Sequence, residues 1–168
     1  GSTVQSFDNL LKRAKVYEEN LSAPFSVYIH GDFNVDNIIY DPLEKKINFI
    51  DLHRSSYMDY VQDISVFMVS NYRLRVVDPV IRRQIRDLSI NFYNFSAAYA
   101  KSKGDDGFDL RLALGLARSF AASTRFVVDK VLARAMWLRA RYLLESVLLT
   151  DPKLIHKYRV PVKELFVG

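Results

Sequence analysis

Within eight residues, His30 to Asn37 (HGDFNVDN), the chain sets one histidine, two aspartates and two asparagines directly behind the apolar run Phe25–Ile29. A further carboxylate, Asp51, follows a second apolar run, Ile47–Ile50. Oxygen donors clustered in this way have three ordinary uses. Asp, Asn and Gly populate loops because they cap helices and tolerate unusual dihedrals. They also bind calcium, and Asp32, Asn34 and Asp36 stand at the first, third and fifth positions of an EF-hand-like loop. That match stops at Asn37, where such a loop needs Gly, and at Leu43, where it needs Glu. The flanks, moreover, are predicted strands rather than helices.

The third use is phosphoryl transfer. It requires a carboxylate beside the attacking hydroxyl and hard oxygen ligands for Mg²⁺, which offsets charge developing on the phosphates. Asp32 and Asn37 have the separation of base and metal ligand in a kinase catalytic loop. Asp51 supplies the second carboxylate just past a strand pair. Loop, hairpin and carboxylate thus occur in the required order and at short range.

The elements that must position these groups follow from periodicity. Asp8–Asn20 reads as a helix with Leu10, Leu11, Ala14 and Tyr17 on one side. Phe25–Ile29 reads as a strand, and Ile38–Tyr40 with Ile47–Ile50 as a β-hairpin around the Asp-Pro turn at Asp41. From Asp59 the period becomes helical, with one helix ending near Asn71. Asp78 caps the next, with Pro79 in its first turn and Ile81, Ile85, Leu88, Phe92, Phe95 and Tyr99 as its apolar stripe. Phe108–Leu149 is too long for one helix, so a break is expected near Ser123, with Ser123 or Thr124 capping the second piece. Asp151-Pro152 repeats the helix-start signal. The expected fold class is α+β and mostly α-helical: a small hairpin followed by five or six helices.

"HGDFNVDNIIYD" followed by "INFIDLHRSSYMDYVQDISVF" resembles the catalytic half of the aminoglycoside phosphotransferase and choline kinase-like family, small-molecule kinases with a protein-kinase-like fold. The resemblance covers about Val27 to Phe67 and implies the C-terminal lobe of that fold. It implies Asp32 as catalytic base, Asn37 and Asp51 as Mg²⁺ ligands, and His30 as a loop organiser. It matches Asp59 and Asp63 to a later element that supports the loop. ATP would be the phosphoryl donor and a small hydroxyl compound the acceptor. An aminoglycoside, a choline-like amine, a sugar or an amino alcohol all fit. Departures are Met58, Asp59 and Tyr60 where the family often has Gly-Asp-Pro, a loop without its frequent Pro and Gly, and Arg54 with the serines after Asp51.

Such a kinase also needs a nucleotide-binding lobe with a strand lysine and a loop over the phosphates. Nothing before Phe25 has that pattern, and no Walker motif occurs. Residues 1–168 are therefore expected to be a single-domain C-terminal lobe of a larger kinase, with Gly1-Ser2 an expression scar. Taken alone, it should bind ATP weakly and turn over little or nothing. The rival readings are a non-catalytic, pseudokinase-like binding module and a metal-dependent phosphohydrolase.

Composition narrows the setting. The chain has 168 residues, no cysteine and a net charge of +5. Thiolate metal sites and disulfides are excluded, and a reducing, cytoplasmic location is expected. No run is long enough to span a membrane, so no membrane partner is expected. Lys130, Arg134 and Arg141 recur at helical spacing beside Trp137. They read as a solvated amphipathic face rather than a nucleic-acid contact. His53 and His156 lack partners at metal spacing. Asp105 and Asp106 belong to a glycine-flanked turn, with a substrate contact as the alternative.

Overall fold

The computed structural model describes residues 5–167. It is mostly helical with two small antiparallel sheets, the expected fold class. Helix α1 (Phe7–Glu18) starts at the Ser6 cap and buries Leu10 and Ala14. Strands β1 (Val27–Ile29), β2 (Ile38–Asp41), β3 (Lys46–Phe49) and β4 (Ser56–Met58) follow. Next come α2 (Val61–Tyr72), α3 (Pro79–Ser102), α4 (Phe108–Ser123), α5 (Lys130–Leu148) and the short α6 (Val162–Leu165).

The hairpin β2–β3 pairs Ile38 with Phe49 and Asp41 with Lys46. Its turn closes because the Asp41 carboxylate accepts the Leu43 and Glu44 N–H groups. One strand escaped sequence reading: β4 pairs with β1, setting Ile29 against Ser56 and Val27 against Met58. The β1–β4 ladder therefore brackets the hairpin. The loop leaving β1 and the loop entering β4 are brought side by side at one end of the ladder.

Helix α4 is the core element, buried almost all round from Phe108 to Ala117 and again at Phe120. It packs on α2 and α5. Close approach to α2 relies on Gly115, where a Cβ would stand 3.1 Å from the Ser65 hydroxyl. Ser65 and Ser119 hydroxyls bond each other at 3.1 Å across the same contact. Met68 and Val69 of α2 are fully buried beside them.

Three expectations need correction. Helix α3 begins at the Asp78 cap as expected, with Asp78 accepting the Val80 and Ile81 N–H groups. It does not bury the predicted stripe, however. Ile81, Leu88, Phe95 and Tyr99 are exposed, while Ser89, Ser96 and Ala100 face inward. Small residues permit close approach. The two serine hydroxyls satisfy themselves on the Ile85 and Phe92 carbonyls of their own helix. The break after α4 does fall at Ser123, but the next helix is capped by Asp129, which accepts the Val131 and Leu132 N–H groups. Thr124–Phe126 forms a 3₁₀ turn instead. Asp151-Pro152 likewise opens only a 3₁₀ segment, Pro152–Lys157, kinked at Leu154.

A buried ion cluster joins α4 to the start of α2. Arg111 donates to both Asp105 oxygens at 2.8 and 2.7 Å and to Asp59 at 2.7 Å. The Tyr60 hydroxyl donates to Asp105 at 2.5 Å. Asp105 is thus a structural ion-pair partner, not merely a turn residue. Burial drives its pKa up, but the Arg111 and Tyr60 bonds and the Arg111 charge outweigh that and hold it below the usual carboxylate range. Burial, reinforced by Asp105, pushes the Tyr60 phenol far up, so it stays a neutral donor.

A carboxylate with a depressed folded-state pKa adds stability above its unfolded pKa and loses it as pH falls through the folded value. Arg111→Met leaves Asp105 buried without its partner and should cost about 3–5 kcal/mol. The melting temperature should fall on the order of 10 °C for a chain of this size. Thermal and urea unfolding at neutral pH check this; a melting point within a degree or two of wild type contradicts it. The deficit should shrink in acid, where wild type loses the same contribution.

Candidate active site

The His30–Asn37 loop is held from three sides. From α2, the Asp63 carboxylate accepts the backbone N–H of His30 at 2.7 Å and of Gly31 at 2.9 Å. Burial raises the Asp63 pKa, and those two N–H bonds pull against the rise. Farther along α2, the Ser70 hydroxyl accepts the Val35 N–H at 3.1 Å. On the apolar side, Phe33 packs between Phe67 of α2 and Phe49 of β3, with ring centroids 5.5 and 5.6 Å away.

His30 ties this loop to the hairpin. Its Nδ1 accepts the Asp32 N–H at 3.3 Å, which leaves Nε2–H to donate to the Ile50 carbonyl at 2.9 Å. The Ile50 N–H in turn donates to the Asn37 carbonyl at 3.1 Å. Both backbone groups of Ile50 are therefore bonded to the loop, and Asp51 is the next residue. Asp51 takes a left-handed conformation (φ 60°), which Asp tolerates better than most residues. Gly31 is left-handed as well, and a Cβ there would lie 2.3 Å from the Arg54 carbonyl oxygen, so the loops touch backbone to backbone.

Asp32 itself is partly buried. Its Oδ1 accepts the Asn34 amide at 3.1 Å, and its Oδ2 lies 3.6 Å from an Arg54 nitrogen. No donor of the described residues reaches Oδ2 within hydrogen-bond distance. Asn37 is buried and donates its amide N–H to the Asp32 carbonyl at 2.8 Å, which leaves its Oδ1 as a hard acceptor. Asp51 is exposed, with one carboxylate oxygen bonded to His53 Nδ1. Among the described residues there is no cluster of three or more His, Cys, Asp or Glu placed to hold a metal. One amide oxygen and one carboxylate do suit Mg²⁺, which keeps several waters and takes few protein ligands.

Of the residues singled out from sequence, Asp32, Asn37, His30, Asp63 and the backbone before Asp51 converge here. Asp59 does not join them: its carboxylate bonds Arg111 and the Val61 N–H. Sequence reasoning passed over Phe33, Ser70 and His53. An aromatic residue inside a polar loop is a legible sign of an anchor; the other two carry no such sign. Trp137 is half exposed against Phe7, and Arg141 pairs with Glu145, so that basic face lies elsewhere.

A loop aspartate braced by a core helix thus stands next to a hairpin flanked by Asn37 and Asp51. The model for APH, the phosphotransferase enzyme family, matches residues 4–101, which span α1 through most of α3. The chain belongs to that family. No curated protein and no solved structure matches it. No helix among the described residues is long and apolar enough to cross a membrane.

Asp63→Ala leaves the buried N–H of His30 and the N–H of Gly31 without acceptors. It should cost about 3 kcal/mol, and amide exchange at His30 and Gly31 should accelerate while α4 amides keep their protection relative to global unfolding. Wild-type exchange at those two amides would show that the loop does not depend on Asp63.

Proposed function

We propose that this chain is the catalytic part of an ATP-dependent phosphotransferase that transfers the γ-phosphoryl group to a hydroxyl of a small molecule. The nucleotide lobe would lie elsewhere in the natural full-length protein. The single observation carrying this reading is the double backbone tie of Ile50 to His30 and Asn37, which holds Asp51 beside the Asp32 loop.

Asp32 would orient the acceptor hydroxyl and take its proton on Oδ2, the oxygen that Asn34 does not occupy. Asn34 holds that carboxylate, and the His30 ring and the Asn37 amide hold the backbone N–H and carbonyl of the same residue, so the chain contributes chiefly positioning. Asn37 Oδ1 and Asp51 would hold Mg²⁺. When bound, the ion supplies charge neutralisation on the phosphates. His53 would orient the Asp51 carboxylate through its Nδ1. Arg54 stands beside Asp32, 3.6 Å from its Oδ2.

In the full-length protein, Asp32→Asn should lower transfer from γ-labelled ATP to a panel of polyols, hydroxy acids and amino alcohols by about 10²–10⁴-fold. Nucleotide binding should be retained. Asp51→Asn should instead weaken ATP binding in Mg²⁺, read by calorimetry. Wild-type transfer by Asp32→Asn contradicts the assignment of the base, and wild-type ATP affinity in Asp51→Asn removes that residue from the metal set.

A further inference from the structure

We propose that the hydroxyl acceptor is an anion, a small compound carrying a carboxylate or phosphate group. This rests on the reading of Asp32 as the group that receives the hydroxyl. A cleft of about 470 Å³ opens beside Gly31 and Asp32, between the Gln62–Ser70 side of α2 and the end of α4 with its following turn. Four arginines line it: Arg54, Arg73, Arg118 and Arg125. They come from three separate stretches of chain, and Asp32 is the only carboxylate among the lining residues.

The guanidinium groups are weakly committed. Arg54 stands 3.6 Å from Asp32, and Arg73 is 3.5 Å from the exposed Asp36. Arg118 pairs with Glu18 at the surface at 2.7 Å. Glu18 and Asp36 lie outside the cleft lining. An exposed pair such as Arg118–Glu18 contributes little and exchanges readily for another anion, and the Arg54 and Arg73 pairs are long. Arg125 has no ion pair among the described residues; its guanidinium lies over the Phe126 ring, 4.6 Å from the centroid. Arginine forks match carboxylate and phosphate oxygens in bidentate geometry. A cationic acceptor would meet four guanidinium groups in the lining, two of them partly neutralised from behind by Glu18 and Asp36, and one lining carboxylate, the one that must also receive its proton. The residues proposed for the metal, Asn37 and Asp51, do not line this cleft. The arginines therefore face the acceptor side of Asp32 rather than the donor side.

The anion titration itself needs neither ATP nor metal, so its binding readout does not depend on turnover. Arginine Nε–H signals of the chain are followed by NMR while inorganic phosphate, glycerate, glycerol phosphate, glycerol or serinol is titrated. The anions should shift Arg125 and Arg118 together with the Asp32 amide, with phosphate and glycerate separating the two anionic chemistries. Arg125→Gln, an exposed turn substitution, should weaken that binding about ten- to hundred-fold. Arg134→Gln, on the exposed face of α5, should leave it unchanged. The inference is overturned if no anion perturbs the cleft at tens of millimolar, or if neutral glycerol or cationic serinol binds as well. It is equally overturned if ATP with Mg²⁺ displaces bound phosphate, since the arginines would then serve the donor. Anion binding that persists while Asp32→Asn still transfers phosphate would instead remove the phosphotransfer role of Asp32 and leave the anion site standing.

Discussion

The Asp63 carboxylate, receiving the N–H groups of His30 and Gly31, is the contact on which the site depends. It converts the rigidity of the core into the position of a loop. Helix α2 is fixed by its close approach to α4 at Ser65 and Gly115. Asp63 lies two residues before that contact, so the loop inherits its position from the most buried part of the molecule. A charged acceptor makes stronger bonds to backbone N–H than a neutral one. Burial opposes its charge and raises its pKa, and the two N–H groups offset part of that rise. Once Gly31 is held, Asp32 and the His30 ring follow within one residue either way, and the ring reaches across to Ile50.

Two sides of Asp32 then differ in electrostatic character. On one lie Asn37 and Asp51, oxygen donors with a net negative charge. On the other lies a cleft walled by arginines from α2, α4 and the turns around them. A phosphoryl group in transit carries negative charge toward an acceptor, and positive groups near its path lower the cost of that approach. In the proposed reaction the same positive wall would select acceptors by charge. The net charge of +5 is thus unevenly used: Arg111 is spent inside on Asp59 and Asp105, whereas Arg125 remains at the cleft.

Much of this was legible in the residue pattern, and the exceptions have physical reasons. The hairpin was readable because the Asp-Pro turn and its flanking apolar runs are local. The nearness of the Asp51 segment to the Asp32–Asn37 loop was readable because the hairpin sets the backbone of Ile50 against that loop over a short span of chain. Strand β4 was not, since three residues carry no periodicity and its partner is about thirty positions away. The role of Asp59 was misplaced for a related reason. It sits four residues before Asp63, about one helical turn, yet its carboxylate turns to Arg111, which belongs to a helix far along the chain. Asp105 looked like an ordinary turn residue because a glycine-flanked aspartate usually is one. Only tertiary packing reveals that the turn is buried. For α3, counting large apolar residues misled in part: Phe92 does pack on Phe67, but the fully buried positions are Ser89, Ser96 and Ala100, while Ile81, Leu88 and Phe95 stay exposed.

The account stands on Asp32, Asn37 and Asp51 sharing one hard-oxygen site. The most direct measurement is paramagnetic line broadening of backbone amides by Mn²⁺ standing in for Mg²⁺, which detects even weak binding. The account predicts that amides of the Asp32–Asn37 loop and of Asp51 broaden first and together, and that Asp51→Asn removes the effect at both segments. Broadening confined to outlying carboxylates such as Asp41 and Glu44, with the loop unaffected, would contradict it.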